Sequence, residues 1–316
     1  MNFRTISDLN SLIYSNMQKI PREVDLIVGV PRSGMMVASL IALYLNLPLT
    51  DIDRLEIGEL LPSGRTKKNS HWITSVEQAR KILIVEDSSS TGTSVIEVRN
   101  KLKDSTYAEK VIYLVAFINK DTEKFADIYF EKVEYPRLFE WNYLHHNRLD
   151  EVCFDIDGVL CVDPTEKQND DGDQYRNFIR NAEVKVVPTF PIGYLVTSRL
   201  EKYREDTEYW LKKNGIRYNQ LIMMQYNSKE ERLKAGSHGK FKGENYKRLK
   251  GAFLFVESDA RQAAEIAKIS GKMVFCTENQ KVYTENSIVK LKEAGKKRIK
   301  KMVPRSIKRF IKRCMK

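Results

Sequence analysis

Ile82-Leu-Ile-Val-Glu-Asp-Ser-Ser-Ser-Thr-Gly-Thr-Ser94 is the stretch that decides how the first half of the chain folds. Its unbroken apolar start reads as a strand buried on both faces, the mark of a parallel sheet covered by helices. The strand delivers two acids, Glu86 and Asp87, into a small hydroxyl-rich loop of Ser88, Ser89, Ser90 and Thr91. Gly92, Thr93 and Ser94 then open a helix. Backbone N–H groups at such a helix start form a nest for an anion, and glycine lets the backbone come close. Adjacent carboxylates can hold two neighbouring hydroxyls of a sugar. A phosphate and a diol bound by one strand–loop–helix unit suit a sugar phosphate.

The same unit occurs upstream. Residues 25–30 (DLIVGV) read as a strand, Gly29-Val-Pro-Arg-Ser-Gly34 as a loop and residues 35–45 as a helix. In that loop, after Pro31, Arg32 supplies a charged donor, while Ser33 and Gly34 leave the backbone N–H groups accessible. A capped helix is expected near Asp8, another over residues 93–102 and a strand over 111–118 (VIYLVAFI). The pattern restarts with strands at 151–155, 193–197, 251–256 and 272–276, and helices at 207–214, with Trp210 and Leu211 inward, and 260–269. Strands alternating with helices specify an α/β protein. The chain's 316 residues allow two domains with ordinary cores. We expect domains at 1–148 and 149–288, a tail at 289–316, and a junction over 135–148 (YPRLFEWNYLHHNR).

The stretch 82–94 resembles the phosphoribosyl pyrophosphate (PRPP) signature of type I phosphoribosyltransferases, with Glu86 where Asp is more usual. The resemblance implies that Glu86 and Asp87 hold ribose hydroxyls, that residues 88–94 hold the 5-phosphate, and that Pro31, Arg32, Ser33 and Gly34 bind the pyrophosphate. Residues 54–72, with Pro62, Gly64, Arg65, Lys67 and Lys68, resemble the loop that closes over substrate in that family.

Asp155-Ile-Asp-Gly-Val-Leu160, after an apolar strand, resembles the first motif of haloacid-dehalogenase-type phosphatases. There the first acid attacks phosphorus and the second exchanges protons, which implies Asp155 as nucleophile and Asp157 as acid/base. Leu195-Val-Thr-Ser-Arg199 matches the second motif, with Thr197 holding the phosphoryl group, and Phe253-Leu-Phe-Val-Glu-Ser-Asp259 the fourth. Mg²⁺ is the implied cofactor, with Asp155, Asp157, Glu257 and Asp259 as its set; which of the last two coordinates directly is open. The third motif is a lysine. Lys242 is the first choice, Lys240 the second, and Lys229 lies further from the last strand. About 40 residues separate Asp157 from Thr197 and about 45 separate Thr197 from Lys242, too few for a large cap. An open site suits a bulky phosphorylated substrate.

The resemblances together imply two doubly wound, Rossmann-like domains, a type I phosphoribosyltransferase fold and a haloacid-dehalogenase fold with a small or absent cap. A transferase leaves the donor's 5-phosphate on its product, and a phosphatase on the same chain removes it. Salvage nucleotides keep their phosphate, so the fusion points to a ribofuranosyl group on another acceptor. The chain is similar to two-domain ribofuranosyltransferases of bacterial polysaccharide synthesis, which implies a glycan acceptor, lipid-linked in some settings. The alternatives are a nucleobase transferase with a nucleotidase domain, or a regulatory protein that binds PRPP. Glu56, Glu59, Glu140 and His145 are unranked candidates for a base acting on the acceptor. Trp141 is equally an acceptor platform or a core residue.

The net charge of +12 is concentrated at one end. Residues 290–316 hold 13 of the 54 Lys and Arg and one of the 42 acids, so the rest carries 41 of each sign. A neutral body argues against nucleic acid, whose basic patch would lie on the fold. Residues 305–316 read as a basic amphipathic helix, with Ile307, Phe310, Ile311, Cys314 and Met315 on one stripe, and point to an anionic membrane surface. No apolar run suits a signal sequence or a span, and four scattered cysteines suggest neither disulfides nor zinc. The expected location is cytoplasmic, peripheral at the inner face of the membrane.

Overall fold

The computed structural model of the chain describes residues 2–65, 68, 72–135, 137–234, 236 and 238–285. The basic tail, Lys67 and part of the loop read as closing over substrate lie outside the described residues. The chain divides into two compact units between Trp141 and Asn142.

The first unit runs β1 (Asn2–Arg4), α1 (Ile6–Asn16), β2 (Val24–Gly29), α2 (Ser33–Leu45), β3 (Leu49–Asp51), α3 (Ile52–Glu56), β4 (Lys81–Ser88), α4 (Thr93–Leu102), β5 (Val111–Ile118), β6 (Ile128–Lys132) and β7 (Arg137–Phe139). Five strands form a parallel sheet in the order β3-β2-β4-β5-β6. Alternation along the strands divides the core between its two faces. Ile27, Leu83, Val85 and Leu114 pack with α1 and α2, while Leu26, Val28, Ile82, Ile84 and Val115 pack with α3 and α4. This is an α/β fold with a parallel sheet consistent with a type I phosphoribosyltransferase domain. The first helix starts before Asp8, because Thr5 and Asp8 form a capping box. The junction stretch contributes β7, which pairs with β1 in a two-stranded parallel sheet.

The second unit runs β8 (Val152–Phe154), α5 (Asp173–Asn181), β9 (Ile192–Leu200), α6 (Arg204–Lys213), β10 (Tyr218–Met224), α7 (Lys229–Lys234), α8 (His238–Arg248), β11 (Leu254–Glu257), α9 (Ala260–Ser270), β12 (Met273–Cys276) and β13 (Lys281–Tyr283). Its sheet has the order β10-β9-β8-β11-β12-β13 and is parallel except for β13. Cys153, Val196, Phe255 and Val274 meet α8 and α9 on one face. Trp210 and Leu211 are buried as expected, and Trp210 Nε1 donates to the Ala182 carbonyl at 2.8 Å. Between Asp157 and β9 the only helix among the described residues is α5, tied to α6 by Arg176 and Arg180 on the buried Asp206.

In both units strand order reverses beside the first long strand: between β2 and β4, and between β8 and β11. Helices connecting strands to either side of such a point leave a crevice at the strands' C-terminal ends, where α/β sheets bind ligands. Glu86, Asp87, Asp155, Asp157, Glu257 and Asp259 all lie at the C-terminal ends of these strands or just after them. No helix among the described residues is long and apolar enough to cross a membrane.

Candidate active sites

In the first unit β4 runs on to Ser88, so Glu86 and Asp87 are strand residues, 8% and 4% exposed. Glu86 Oε2 accepts from Ser94 Oγ at 2.5 Å. Burial pushes Glu86 up to about 8; the Ser94 hydroxyl works against this and the neighbouring Asp87 charge works with it. Asp87 is held at both oxygens. Ser33 Oγ donates to Oδ1 at 2.8 Å, and Trp141 Nε1 donates to Oδ2 at 2.7 Å. Ser33 opens α2, so the 29–34 loop and the acid pair are locked together across the switch point. Gly34 permits this: a Cβ there would lie 2.6 Å from the Val85 carbonyl oxygen. The Pro31–Arg32 peptide is cis, and the Arg32 side chain is exposed beside it.

The 88–92 loop is anchored from behind. Thr122 Oγ1 and Arg137 Nη2 donate to the Ser89 carbonyl at 3.3 and 2.5 Å, and Asn119 Nδ2 donates to the Ser90 carbonyl at 3.1 Å. Across a trans peptide the N–H points away from the preceding carbonyl. Holding these two carbonyls back therefore turns the Ser90 and Thr91 N–H groups outward, on residues that are both exposed. Gly92 then starts α4 at φ +84°, where a Cβ would meet the Phe125 ring at 2.2 Å. The Thr91 and Thr93 hydroxyls lie 2.7 Å apart on the outer side. The result is a loop held from behind, next to the two acids Glu86 and Asp87. The loop's anchors Asn119, Thr122 and Arg137 were not legible, because they come from distant turns with no motif of their own.

Trp141 stacks on Phe139 with ring centroids 4.8 Å apart. With its N–H committed to Asp87, it belongs to the acid pair's support and not to an exposed platform. Among the candidate bases, Glu140 Oε2 accepts from the Ile6 N–H at 2.8 Å, Glu56 pairs with Lys101 at 2.9 Å, and Glu59 is exposed. In the second unit, His145 Nδ1 lies 3.1 Å from Thr189 Oγ1.

The second site lies in a cavity of about 670 Å³ lined by Asp155, Asp157, Ser198, Arg199, Lys242, Ser258 and Asp259, with Tyr143, Asp163, Lys185 and His238 further along its wall. Lys242, 2% exposed on α8, donates to Asp155 Oδ2 at 2.6 Å and to Glu257 Oε2 at 2.7 Å. Burial alone would push Lys242 down, but the two carboxylates outweigh it and hold it above the usual lysine value. Burial pushes Asp155 up to about 8, against the pull of Lys242. Of the three lysines considered, Lys240 is exposed and Lys229 Nζ donates to the Asn169 carbonyl at 2.6 Å. A helix puts residues 240 and 242 on different faces, which is why only one of them reaches Asp155.

Two parts of the site differ from the sequence reading. The four acids do not converge as a metal set, and among the described residues no group of three or more His, Cys, Asp or Glu is placed to hold a metal ion. The Asp157 carboxylate is taken by Arg199, whose Nη2 lies 2.7 Å from Oδ1 and whose Nε lies 3.1 Å from Oδ2. Asp259 Oδ1 caps α9, accepting from the N–H groups of Arg261 and Gln262, both at 2.8 Å. Asp155 and Glu257 are brought side by side by Lys242, and Glu257, fully buried, does not line the cavity. Thr197, inside β9 and fully buried, accepts from the Arg199 N–H at 3.2 Å and does not line the cavity; Ser198 and Arg199 do. β9 extends three residues beyond the expected end, to Leu200.

Residues 4–146 match the family model for the phosphoribosyl transferase domain. Among solved structures, the purine phosphoribosyltransferase of Pyrococcus horikoshii Ot3 is 20% identical over 44% of this chain and 92% of that one, with a TM-score of 0.32. The xanthine-guanine-hypoxanthine phosphoribosyltransferase of Helicobacter pylori is 16% identical over 45% and 91%, with a TM-score of 0.33. The orotate phosphoribosyltransferase of Aeropyrum pernix is 19% identical over 40% and 69%, with a TM-score of 0.28. Among curated proteins none matches.

Proposed function

We propose that the chain transfers a 5-phosphoribosyl group from PRPP to a sugar hydroxyl of a glycan in its first unit and removes the 5-phosphate in its second, leaving a ribofuranosyl residue. The observation that carries this reading is the pairing of two clusters: a back-anchored, hydroxyl-rich loop beside two acids in one unit, and a lysine bridging two buried acids in the other.

In the transfer step the nest holds the 5-phosphate, Glu86 and Asp87 accept the ribose hydroxyls, and the 29–34 loop holds the departing pyrophosphate. The C1–pyrophosphate bond breaks as the acceptor oxygen bonds to C1, and the hydroxyl proton passes to a base or solvent. In the second step Asp155 attacks phosphorus as Asp157 donates the proton with which the 5-oxygen leaves, and water hydrolyses the acyl phosphate. Lys242 keeps Asp155 aimed and offsets the charge that gathers at phosphorus. Asp157, held by Arg199, then takes the proton of the water that hydrolyses the acyl phosphate. Mg²⁺ would be held by Asp155 and Glu257 and would supply positive charge to the phosphoryl oxygens.

The test is mass spectrometry of the full chain with PRPP, Mg²⁺ and a panel of glycans, free and lipid-linked, beside nucleobases. A glycan that gains a phosphopentosyl mass with Asp155→Asn and a pentosyl mass with the wild type supports both steps and their order. Reaction with nucleobases alone rejects the glycan acceptor, and identical products from both proteins reject the phosphatase step.

A further inference from the structure

Among the described residues three cations are buried: Arg199, Lys242 and Arg137. The first two face carboxylates, Arg199 on Asp157 and Lys242 on Asp155 and Glu257. Arg137, 4% exposed at the start of β7, forms no salt bridge among the described residues. Its Nη2 donates to the Ser89 carbonyl at 2.5 Å and lies 3.3 Å from Ser90 Oγ, and its Nη1 donates to the Val133 carbonyl at 3.2 Å. The rings of Tyr135 and Phe139 lie 5.0 and 5.6 Å from its Cζ. These contacts orient the guanidinium and offset part of its desolvation, but none neutralises it. Burial pushes Arg137 below the usual arginine value, against the pull of Tyr135 and of the Asp87 and Glu134 charges, neither of which forms a salt bridge with it among the described residues.

Anchoring a carbonyl needs no charge. Asn119 and Thr122, both neutral, do the same work for Ser90 and Ser89 at 3.1 and 3.3 Å. A full charge buried behind an anion nest is best accounted for by the anion.

Resting on the reading of the 88–92 loop as the 5-phosphate site, we propose that Arg137 is a positioning residue and the counter-charge of that phosphate. It lies behind the loop, does not touch the ligand, and makes the nest prefer the dianion of a phosphate monoester to a monoanion of the same shape. The amide groups give geometry, and Arg137 gives the charge preference.

The full chain is titrated by calorimetry with ribose 5-phosphate and with ribose 5-sulfate, a monoanion, at a fixed pH about 1.5 above the second phosphate pKa of about 6. The proteins are wild type, Arg137→Met, Arg137→Lys and Thr122→Val. Wild type should bind the phosphate ester more tightly, and Arg137→Met should narrow that preference by about tenfold. Arg137→Lys should retain most of it. Thr122→Val, which removes a neutral anchor, should weaken both ligands alike and leave their ratio in place. Should Arg137→Met not fold, Arg137→Gln, neutral yet still a donor, makes the same comparison. A neutral variant that keeps the wild-type ratio overturns the role of Arg137 alone. A wild type that binds neither ester overturns the phosphate reading of the loop as well.

Discussion

Replacing Asp157 by alanine tests the second site's electrostatics apart from its chemistry. Arg199 has a fully buried side chain and meets Asp157 at 2.7 Å, while the Asp157 side chain is 20% exposed. At that distance an effective dielectric of about 20 gives roughly 6 kcal/mol of gross attraction, reduced by the partial exposure of the acid. Losing the acid strands a guanidinium whose other contacts are Thr207 Oγ1 at 3.4 Å and Cys161 Sγ at 3.5 Å. Breaking such a pair costs about 3–5 kcal/mol. For a unit of this size, each kcal/mol moves Tm by about 2–4 °C, so Asp157→Ala should lower the affected transition by roughly 6–20 °C. Arg199→Leu should cost less, because Asp157 can reach solvent. The double variant should recover part of the loss, with a coupling of about 2–3 kcal/mol. Scanning calorimetry of the four proteins measures this. A coupling below about 0.5 kcal/mol would show that the pair does not hold the cavity wall, and the reasoning would fail.

Glu86 has a pKa raised from 4.5 to about 8, so the free protein favours its neutral form and loses stability progressively as pH climbs between those values. The first unit should therefore melt lower at pH 8 than at pH 5, and PRPP should bind more tightly as pH rises through about 8, because the ionised carboxylate is the better acceptor. Both trends should flatten in Glu86→Gln, and a slope unchanged by that substitution would assign them elsewhere. Gly92→Ala places a Cβ 2.2 Å from the Phe125 ring at φ +84°, so it should cost about 1–3 kcal/mol in a urea melt and weaken PRPP binding at least tenfold. Trp141→Phe keeps a ring on Phe139 and removes the donor at 2.7 Å to Asp87; KM for PRPP should rise about tenfold with kcat little changed. An equal fall in kcat would mean that the indole acts in the transition state.

The sequence by itself determined what local chemistry determines. Apolar runs such as residues 82–85 can only be strands buried on both faces, and their alternation with helices leaves an α/β sheet. The acids and small residues that follow the strands had to lie at their ends, so Glu86, Asp87, Asp155 and Glu257 were legible from order and spacing. The tertiary structure decided which side chains meet. Lys242, not Lys240, reaches Asp155, because the α8 face packed on α9 carries it. Arg199 takes Asp157, and α9 takes Asp259, leaving two acids where four were expected to gather. Thr197 is fully buried within β9, which runs longer than its apolar core suggested. Trp141 and Arg137 enter the first site through β7, a three-residue strand paired with the chain's first residues. No local pattern encodes partners 42, 48, 54 or 87 residues away; burial and hydrogen bonding in the folded sheets select them.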